Sequence, residues 1–176
     1  MDNILPLIYL LVLLGSLSLV TLVIGKEVIK KRQIELQLAE LQNKIRTKEC
    51  TYEDYYNLGK IYLSKKLFDQ AIIQFRYALK LWDLEDTEGL ANLYNTVGFT
   101  YAETEQYEIA IYYYQEAIKY IKNYIAALNN LGFAYEKKQL ISEALKIYRE
   151  VISFDSENEI ATSRILILSR RLKVSG

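Results

Sequence analysis

The sequence contains no histidine and one cysteine, and these shortages exclude most catalytic and metal chemistry. Histidine is the commonest general base and metal ligand near neutral pH, so Ser–His and Cys–His nucleophiles and zinc sites are excluded. Cys50 alone cannot form an internal disulfide, which is compatible with a reducing compartment. We therefore predict that the protein is not an enzyme and holds neither a cofactor nor a metal.

A continuous stripe of basic residues is also missing. Residues 50–158 carry eleven Lys and Arg against sixteen Asp and Glu, so this part of the chain is acidic. A nucleic-acid binder needs clustered Lys and Arg to displace counterions from phosphates. We predict no nucleic-acid partner. The carboxylates are scattered over predicted turns such as AETEQYE at 102–108, rather than clustered as in an active-site cleft.

The N-terminus carries a long apolar run without charge, from Ile4 to Gly25. As a helix these 22 residues span about 33 Å, against about 30 Å for the hydrocarbon core of a bilayer. The alternative is a cleaved signal peptide, but no basic residue precedes the run and it continues beyond Ser16 and Ser18. We predict a transmembrane anchor over residues 1–25, crossing the lipid bilayer through residues 4–25.

A basic cluster follows the predicted span: Lys26, Lys30, Lys31 and Arg32. By the positive-inside rule, the rest of the chain lies on the cytoplasmic side, or on the stromal side in a plastid.

Residues 26–51 are predicted to form a juxtamembrane stalk helix. Ile34, Leu38, Leu41 and Ile45 recur at spacings of four, three and four. This stripe fits either a short coiled-coil seam, with weak self-association through residues 34–45, or a stalk helix packed on the domain that follows. Two heptads are fewer than a coiled coil needs, so the second interpretation is favoured.

Three segments of the remaining chain align without gaps, at 55–79, 94–118 and 128–152. Each has a glycine, an aromatic residue three positions later, an alanine twelve positions after the glycine, and a second aromatic four positions after the alanine. The sets are Gly59, Tyr62, Ala71 and Phe75; Gly98, Tyr101, Ala110 and Tyr114; Gly132, Tyr135, Ala144 and Tyr148. A glycine inside a helix costs about 1 kcal/mol against alanine, so three at one register predict close helix crossings.

This pattern resembles the tetratricopeptide repeat (TPR), a pair of helices called A and B. The resemblance covers residues 52–158, with repeats at 52–85, 91–124 and 125–158. It implies an all-α right-handed superhelix of three repeats. The proline that usually ends the repeat is replaced by Asp83, Lys122 and Ser156, so we expect the B helices to run longer.

Residues 159–176 are predicted to form a capping helix and tail. Ala161, Ile165, Leu168 and Leu172 share one helix face, as expected for the solvating end cap of a helical array.

The first two repeat glycines are 39 residues apart, and the surplus falls in the acidic segment WDLEDTEGL at 82–90. Its carboxylates are either a metal or partner site or a solvated face. The sequence lacks a D-x-D-x-D-G loop, and a run of charges is usually solvated, so the second interpretation is favoured.

The A helices of such an array line a concave groove that binds peptides, and we predict the partner site there. The inward positions are Tyr56, Lys60, Leu63, Asn95, Phe99, Ala102, Asn129, Phe133 and Glu136. Leaving Phe99 and Phe133 in water costs about 2 kcal/mol each, so they either pack locally or contact a partner. The carboxylate-clamp subgroup needs basic residues where this chain has Tyr56, Ala126 and Asn130, so a chaperone-tail clamp is rejected.

The tyrosine-rich stretch AIYYYQEAIKYIKNY at 110–124 divides by helix face. Tyr114 and Tyr107 occupy packing positions of the repeat. Tyr112 and Tyr113 are predicted as secondary surface contacts. Tyr120 and Tyr124 are expected to cover the junction with repeat three.

The layout of anchor, basic helix, three repeats and cap resembles the small membrane-anchored TPR proteins of cyanobacteria and red-algal-type plastids that assist photosystem I assembly or stability. The resemblance implies a single-pass thylakoid protein whose TPR domain faces the stroma or the cyanobacterial cytoplasm. Its implied role is a non-enzymatic scaffold that binds photosystem I subunits or assembly intermediates. The alternative is a generic membrane-anchored TPR adaptor of a bacterial envelope or secretion complex.

Overall fold

The computed structural model describes residues 4–174, which form eight α-helices and no strand. The predicted all-α fold class is confirmed. The chain divides into two compact units between Lys48 and Glu49.

The first unit consists of one helix, α1 (Ile4–Thr47), of 44 residues. It joins the predicted span and the basic segment without a break, and it is long and apolar enough to cross a membrane. Every described side chain from Ile4 to Ile24 is exposed. The hydroxyls of Ser16 and Thr21 each donate to a backbone carbonyl one turn earlier, at 2.8 Å, so these polar groups are satisfied within the helix.

The second unit contains the other seven helices. They are α2 (Tyr52–Ser64), α3 (Phe68–Leu81), α4 (Thr87–Glu103), α5 (Tyr107–Tyr120), α6 (Ile125–Lys137), α7 (Ile141–Phe154) and α8 (Glu159–Val174). The first six pack as three pairs, α2 on α3, α4 on α5 and α6 on α7. The turn of each pair contains a residue with positive φ at the same register, Lys66, Glu105 and Gln139.

Each repeat glycine lies against the second aromatic residue of its own repeat. A Cβ atom at Gly59 would lie 2.5 Å from Phe75, one at Gly98 would lie 2.8 Å from Tyr114, and one at Gly132 would lie 2.7 Å from Tyr148. The three alanines of the pattern are fully buried, and the first aromatics, Tyr62, Tyr101 and Tyr135, are half-buried. The missing side chains therefore make room for an aromatic ring between the two helices.

The B helices do not extend through the positions where the proline is missing, since each ends two residues before Asp83, Lys122 or Ser156. Helices α3, α5 and α7 have 14 residues each, and each is followed by an extended residue, Trp82, Ile121 or Asp155. The helix whose length differs from its equivalents is instead α4, which has 17 residues where α2 and α6 have 13. It begins at Thr87, four residues before Ala91.

The acidic segment at 82–90 forms the cap of α4. One carboxylate oxygen of Asp86 accepts the backbone N–H of Gly89 at 2.8 Å, and the other accepts the indole N–H of Trp82 at 3.0 Å. Trp82 itself is 9% exposed. Asp86 therefore has a structural role, whereas Asp83, Glu85 and Glu88 are exposed, as a solvated face requires.

Helix α8 closes the second unit by packing on α7. Ala161 and Leu168 are fully buried and Ile165 is half-buried, as the predicted cap face requires, while Leu172 is 44% exposed. The side-chain carbonyl of Asn158 caps the helix by accepting the backbone N–H of Ala161 at 3.0 Å.

Candidate partner-binding groove

The predicted groove contains two exposed phenylalanines at equivalent positions of neighbouring A helices. Phe99 and Phe133 each follow a repeat glycine, and they are 41% and 37% exposed. They are therefore not core residues, although exposing a phenylalanine is unfavourable. The third equivalent residue is Lys60, which is also exposed. At this position of the predicted groove, repeats two and three therefore present an exposed phenylalanine and repeat one presents an exposed lysine.

The repeat-one end of the groove rests on an aromatic cluster. The Tyr56 ring lies 6.0 Å from Phe75 and 5.6 Å, edge-on, from Trp82, measured between ring centroids. The ammonium nitrogen of Lys60 lies 5.1 Å from the Tyr56 centroid, within range of a cation–π interaction. Tyr56 and Leu63 are both half-buried, so their position is set by packing.

Side-chain hydrogen bonds connect α4 with α6 and the residue before it, and α6 with the residue before α8. The Asn130 amide donates to Asn95 at 3.0 Å, and the Tyr124 hydroxyl donates to Asn92 at 2.5 Å. The Asn129 amide donates to Asn158 at 3.4 Å, while its carbonyl oxygen is buried without a hydrogen-bond partner. Each of these amides is thus held through one of its polar atoms.

Glu136, predicted as a groove contact, is engaged inside the protein. Its carboxylate accepts the Tyr148 hydroxyl at 2.7 Å and lies 3.7 Å from the Arg164 guanidinium of α8. The Glu136 side chain is 12% exposed. Burial raises the pKa of Tyr148, and the hydrogen bond to Glu136 raises that pKa further. Glu136 therefore ties α6 to α7 and α8, and a partner would meet Arg164, whose side chain is 40% exposed.

The two secondary surface candidates differ in their surroundings. Tyr112 is 55% exposed. Tyr113 instead stacks on Tyr101, with ring centroids 5.5 Å apart and an interplanar angle of 10°, and is half-buried. The structure thus places Tyr113 in an aromatic cluster rather than on the open surface.

Tyr120 also differs from its expected role at the junction with repeat three. It stacks on Tyr94 of its own repeat at 5.6 Å. Burial, followed by the proximity of Tyr120, raises the pKa of Tyr94 to about 12. Tyr124 lies directly before α6 and hydrogen-bonds to Asn92 at the other end of the same repeat.

Sequence reasoning predicted Tyr124 at the junction with repeat three but missed its partner Asn92 and the pair Asn95–Asn130. Asn92–Tyr124 and Asn95–Asn130 are separated by 32 and 35 residues, so their pairing has no local signal. Only the repeat register could have brought them together.

Models of the tetratricopeptide repeat match residues 50–123 and 125–158. The chain is thus a TPR protein, and this fold is a scaffold for protein interactions rather than a catalytic one. The prediction of a non-enzymatic protein-binding scaffold is confirmed at this level. TPR protein YrrB, which has an unusual peptide-binding site, shares the fold at 20% identity and a TM-score of 0.70, over 81% of this chain and 71% of YrrB.

Relatives over the whole chain define the family more closely. Protein ycf37 of Guillardia theta is 44% identical over 172 residues, covering 98% of this chain and 97% of the relative. The chain belongs to the ycf37 family. The chloroplastic TPR protein PYG7 of Arabidopsis thaliana is 34% identical over 166 residues, which are 94% of this chain and 55% of PYG7.

Proposed function

We propose that the protein is a membrane-anchored scaffold of the thylakoid that holds photosystem I subunits or assembly intermediates in the concave groove of its TPR domain. The observation that carries this proposal is the pair of exposed rings, Phe99 and Phe133, at equivalent positions of α4 and α6. Apolar side chains that the fold leaves in water, one repeat apart, are the anchors a bound segment would cover.

The proposed location rests on α1 and on the relatives. Residues 4–25 supply a span of sufficient length, and the exposed cluster of Lys26, Lys30, Lys31 and Arg32 supports a stromal TPR domain under the positive-inside rule. The chloroplastic PYG7 and the ycf37 proteins support a plastid membrane. The choice of photosystem I as the bound partner rests on the resemblance of the chain's layout to the small membrane-anchored TPR proteins of cyanobacteria and plastids.

The test is capture of partners by the tagged full-length protein from gently solubilised thylakoid membranes. Phe99→Ala combined with Phe133→Ala removes the groove rings. Ile73→Ala combined with Ile109→Ala is the matched control, because these side chains are 50% and 40% exposed on the B helices α3 and α5. We expect photosystem I subunits to be enriched over equally abundant photosystem II subunits with the wild type and the control. The groove variant should lose about tenfold or more of this enrichment, as expected when central apolar anchors are removed.

Three outcomes would contradict parts of this proposal. Loss of capture in the control alone would move the site to the exposed face of the B helices. Loss of helicity in the groove variant would show that the phenylalanines stabilise the fold. Equal enrichment of both photosystems, or of neither, would remove the proposed client and favour a general adaptor.

A further inference from the structure

An exposed apolar patch lies on the B helix of repeat one and on the turn that follows it. Ile73, Tyr77 and Leu81 recur at intervals of four along α3, and Leu84 follows three residues later. Their side chains are 50%, 50%, 51% and 74% exposed. We call these four residues the α3 patch. Residues four apart on a helix are neighbours on its surface, so the three helical members form a continuous apolar strip.

The repeat fold does not require apolar side chains at these positions. The equivalent residues of repeat three are Lys146, Glu150, Phe154 and Glu157, so the same register tolerates charge at all but one position. Exposed apolar side chains are unfavourable in water. A contiguous set of them that the fold does not use indicates a surface that another molecule covers.

The charges around the α3 patch are balanced. Residues 65–85 carry four Lys and Arg against three Asp and Glu. A surface that binds an anionic bilayer is dominated by Lys and Arg, and an acidic or basic partner likewise needs an excess of one sign. The balance therefore favours a partner that carries both charges, and a second copy of this chain is such a partner.

Asp69 and Lys80 lie along one line of α3 beside the patch. They are eleven residues apart, which is close to three full helical turns, so their side chains leave the same side of the helix about 16 Å apart. Both are exposed, and neither forms an ion pair within the part of the chain that the structure describes. Their separation prevents them from pairing with each other in one chain.

A second copy in antiparallel orientation satisfies both charges at once. If Asp69 of each copy faces Lys80 of the other, the two-fold axis passes midway between them, beside residues 74 and 75. The midpoint of Ile73 and Tyr77 is residue 75. The same axis therefore places Ile73 of one copy against Tyr77 of the other, so the charged pair and the apolar pair specify one arrangement.

The residues at the two ends of α3 agree with this arrangement. Leu67 directly precedes the helix and is 42% exposed, and Leu84 follows it. An antiparallel pair brings Leu67 of one copy to Leu84 of the other. Arg76 lies near the axis in each copy. Burial raises the pKa of Tyr113 on α5 and the charge of Arg76 lowers it, so Arg76 is close to α5 and can extend away from the second copy.

We propose that two copies of this chain pair through their α3 patches, antiparallel about a two-fold axis, with an ion pair between Asp69 and Lys80 at each end. Both α1 helices enter one membrane from the same side when the axis lies along the bilayer normal. Confinement to one membrane raises the effective concentration of the copies, which favours pairing through a small interface. The α3 patch contains no residue of the predicted groove, so this pairing goes beyond the proposed function and its failure would leave that function untouched.

Exchange of the two charges tests the pairing. Full-length protein is placed in phosphatidylcholine liposomes, and energy transfer is measured between copies that carry donor or acceptor dye on a cysteine added after Gly176, with Cys50→Ser to make that site unique. Asp69→Lys alone and Lys80→Asp alone should each lower association about fivefold, because like charges then face each other at both ends. The two substitutions together should restore association to within twofold of the wild type.

This rescue identifies a contact between copies, since the two side chains are too far apart to interact within one chain. Wild-type transfer no higher than that of randomly placed copies would overturn the proposal. Single variants that associate like the wild type would overturn it too, as would a double variant as weak as the single ones.

A second pair of variants tests the apolar part of the interface. Leu81→Asp combined with Leu84→Asp should reduce transfer to the level of randomly placed copies. Ile109→Asp combined with Phe154→Asp is the control, because these side chains are 40% and 50% exposed on α5 and α7, and it should leave transfer unchanged. Circular dichroism checks that each variant keeps its helices. Equal losses in both variants would contradict the proposal. If both retain wild-type transfer while Leu38→Asp lowers it, the copies associate through residues 34–45 and the proposal is wrong.

Discussion

Helix α8 has the same register as the A helices of the three complete repeats. The position of the repeat glycine, however, has different surroundings in α8. Gly132 leaves room for Tyr148 of α7, whereas Leu166 of α8, the last helix of the described residues, is 55% exposed. The next position along the helix is similar in both, since Phe133 and Ile167 are about equally exposed. The glycine is thus a requirement of the helix pair, whereas the exposed apolar residue beside it also occurs in α8.

The largest expected effect comes from placing a charge inside a complete repeat. Ala110 is fully buried between α4 and α5, and a carboxylate introduced at this position would be buried without a charged partner. Ala110→Glu should therefore cost about 3–5 kcal/mol of unfolding free energy.

Urea unfolding of the full-length protein, followed by the fluorescence of its one tryptophan, Trp82, measures this cost. Ile109→Glu on the same helix is the control, because Ile109 is 40% exposed and should change stability by about 0.5 kcal/mol or less. Similar losses in both variants would mean that repeat two tolerates charge at its helix crossing.

A second prediction exchanges the residues that distinguish the repeats from α8. Gly98→Leu should cost about 3 kcal/mol, because its Cβ atom alone would lie 2.8 Å from Tyr114 and 3.2 Å from the Ala110 carbonyl. Leu166→Gly at the same register should cost only about 1 kcal/mol, the helix penalty of glycine. Urea midpoints of the two variants give the comparison. Equal costs would show that the following B helix does not explain the glycine.

A smaller loss of stability is expected at alkaline pH. It comes from buried tyrosines of the complete repeats, a residue type that α8 lacks. Burial raises the pKa values of Tyr94, Tyr114 and Tyr148, that of Tyr94 to about 12. Because these pKa values are higher in the folded than in the unfolded state, their contribution is intact below about pH 10 and is lost as pH rises further. Stability should therefore fall above about pH 10.

Urea midpoints measured from pH 8 to pH 11.5 check this dependence, with tyrosinate absorbance recorded in parallel. Tyr94→Phe should make the decline shallower, since one raised pKa is removed. A midpoint that is constant over this range would contradict the assignment of these phenols as buried and neutral.

The smallest expected effect concerns the long A helix of repeat two. Asp86→Ala removes the cap of α4 and the acceptor of the Trp82 indole, and should cost about 1–2 kcal/mol. Glu85→Ala, an exposed neighbour, should have almost no effect. The urea midpoint gives the cost, and a red shift of Trp82 emission in the folded state would report its loosened contact. If the two variants behave alike, the Asp86 carboxylate does not stabilise α4, and the segment at 82–90 is only a solvated loop.

The equivalence of Phe99 and Phe133 could be predicted from the sequence, because the glycine register transfers positions from one repeat to the next. The equivalent position of α8 could not, since α8 has Leu166 in place of the glycine and no aromatic residue that marks its register. The internal engagement of Glu136 was also missed, because its partners Tyr148 and Arg164 lie on two other helices.

By itself the sequence determined the number of repeats, the helix crossings and the apolar N-terminal helix, since these depend on residues a few positions apart or on a fixed period. Only the tertiary structure decided which polar and aromatic groups remain available. Tyr113 stacks on Tyr101, and Asn95 pairs with Asn130, because helix packing brings together residues with no local relation. Whether a side chain faces a partner or its own protein depends on what the neighbouring helix places opposite it, and that is decided by packing.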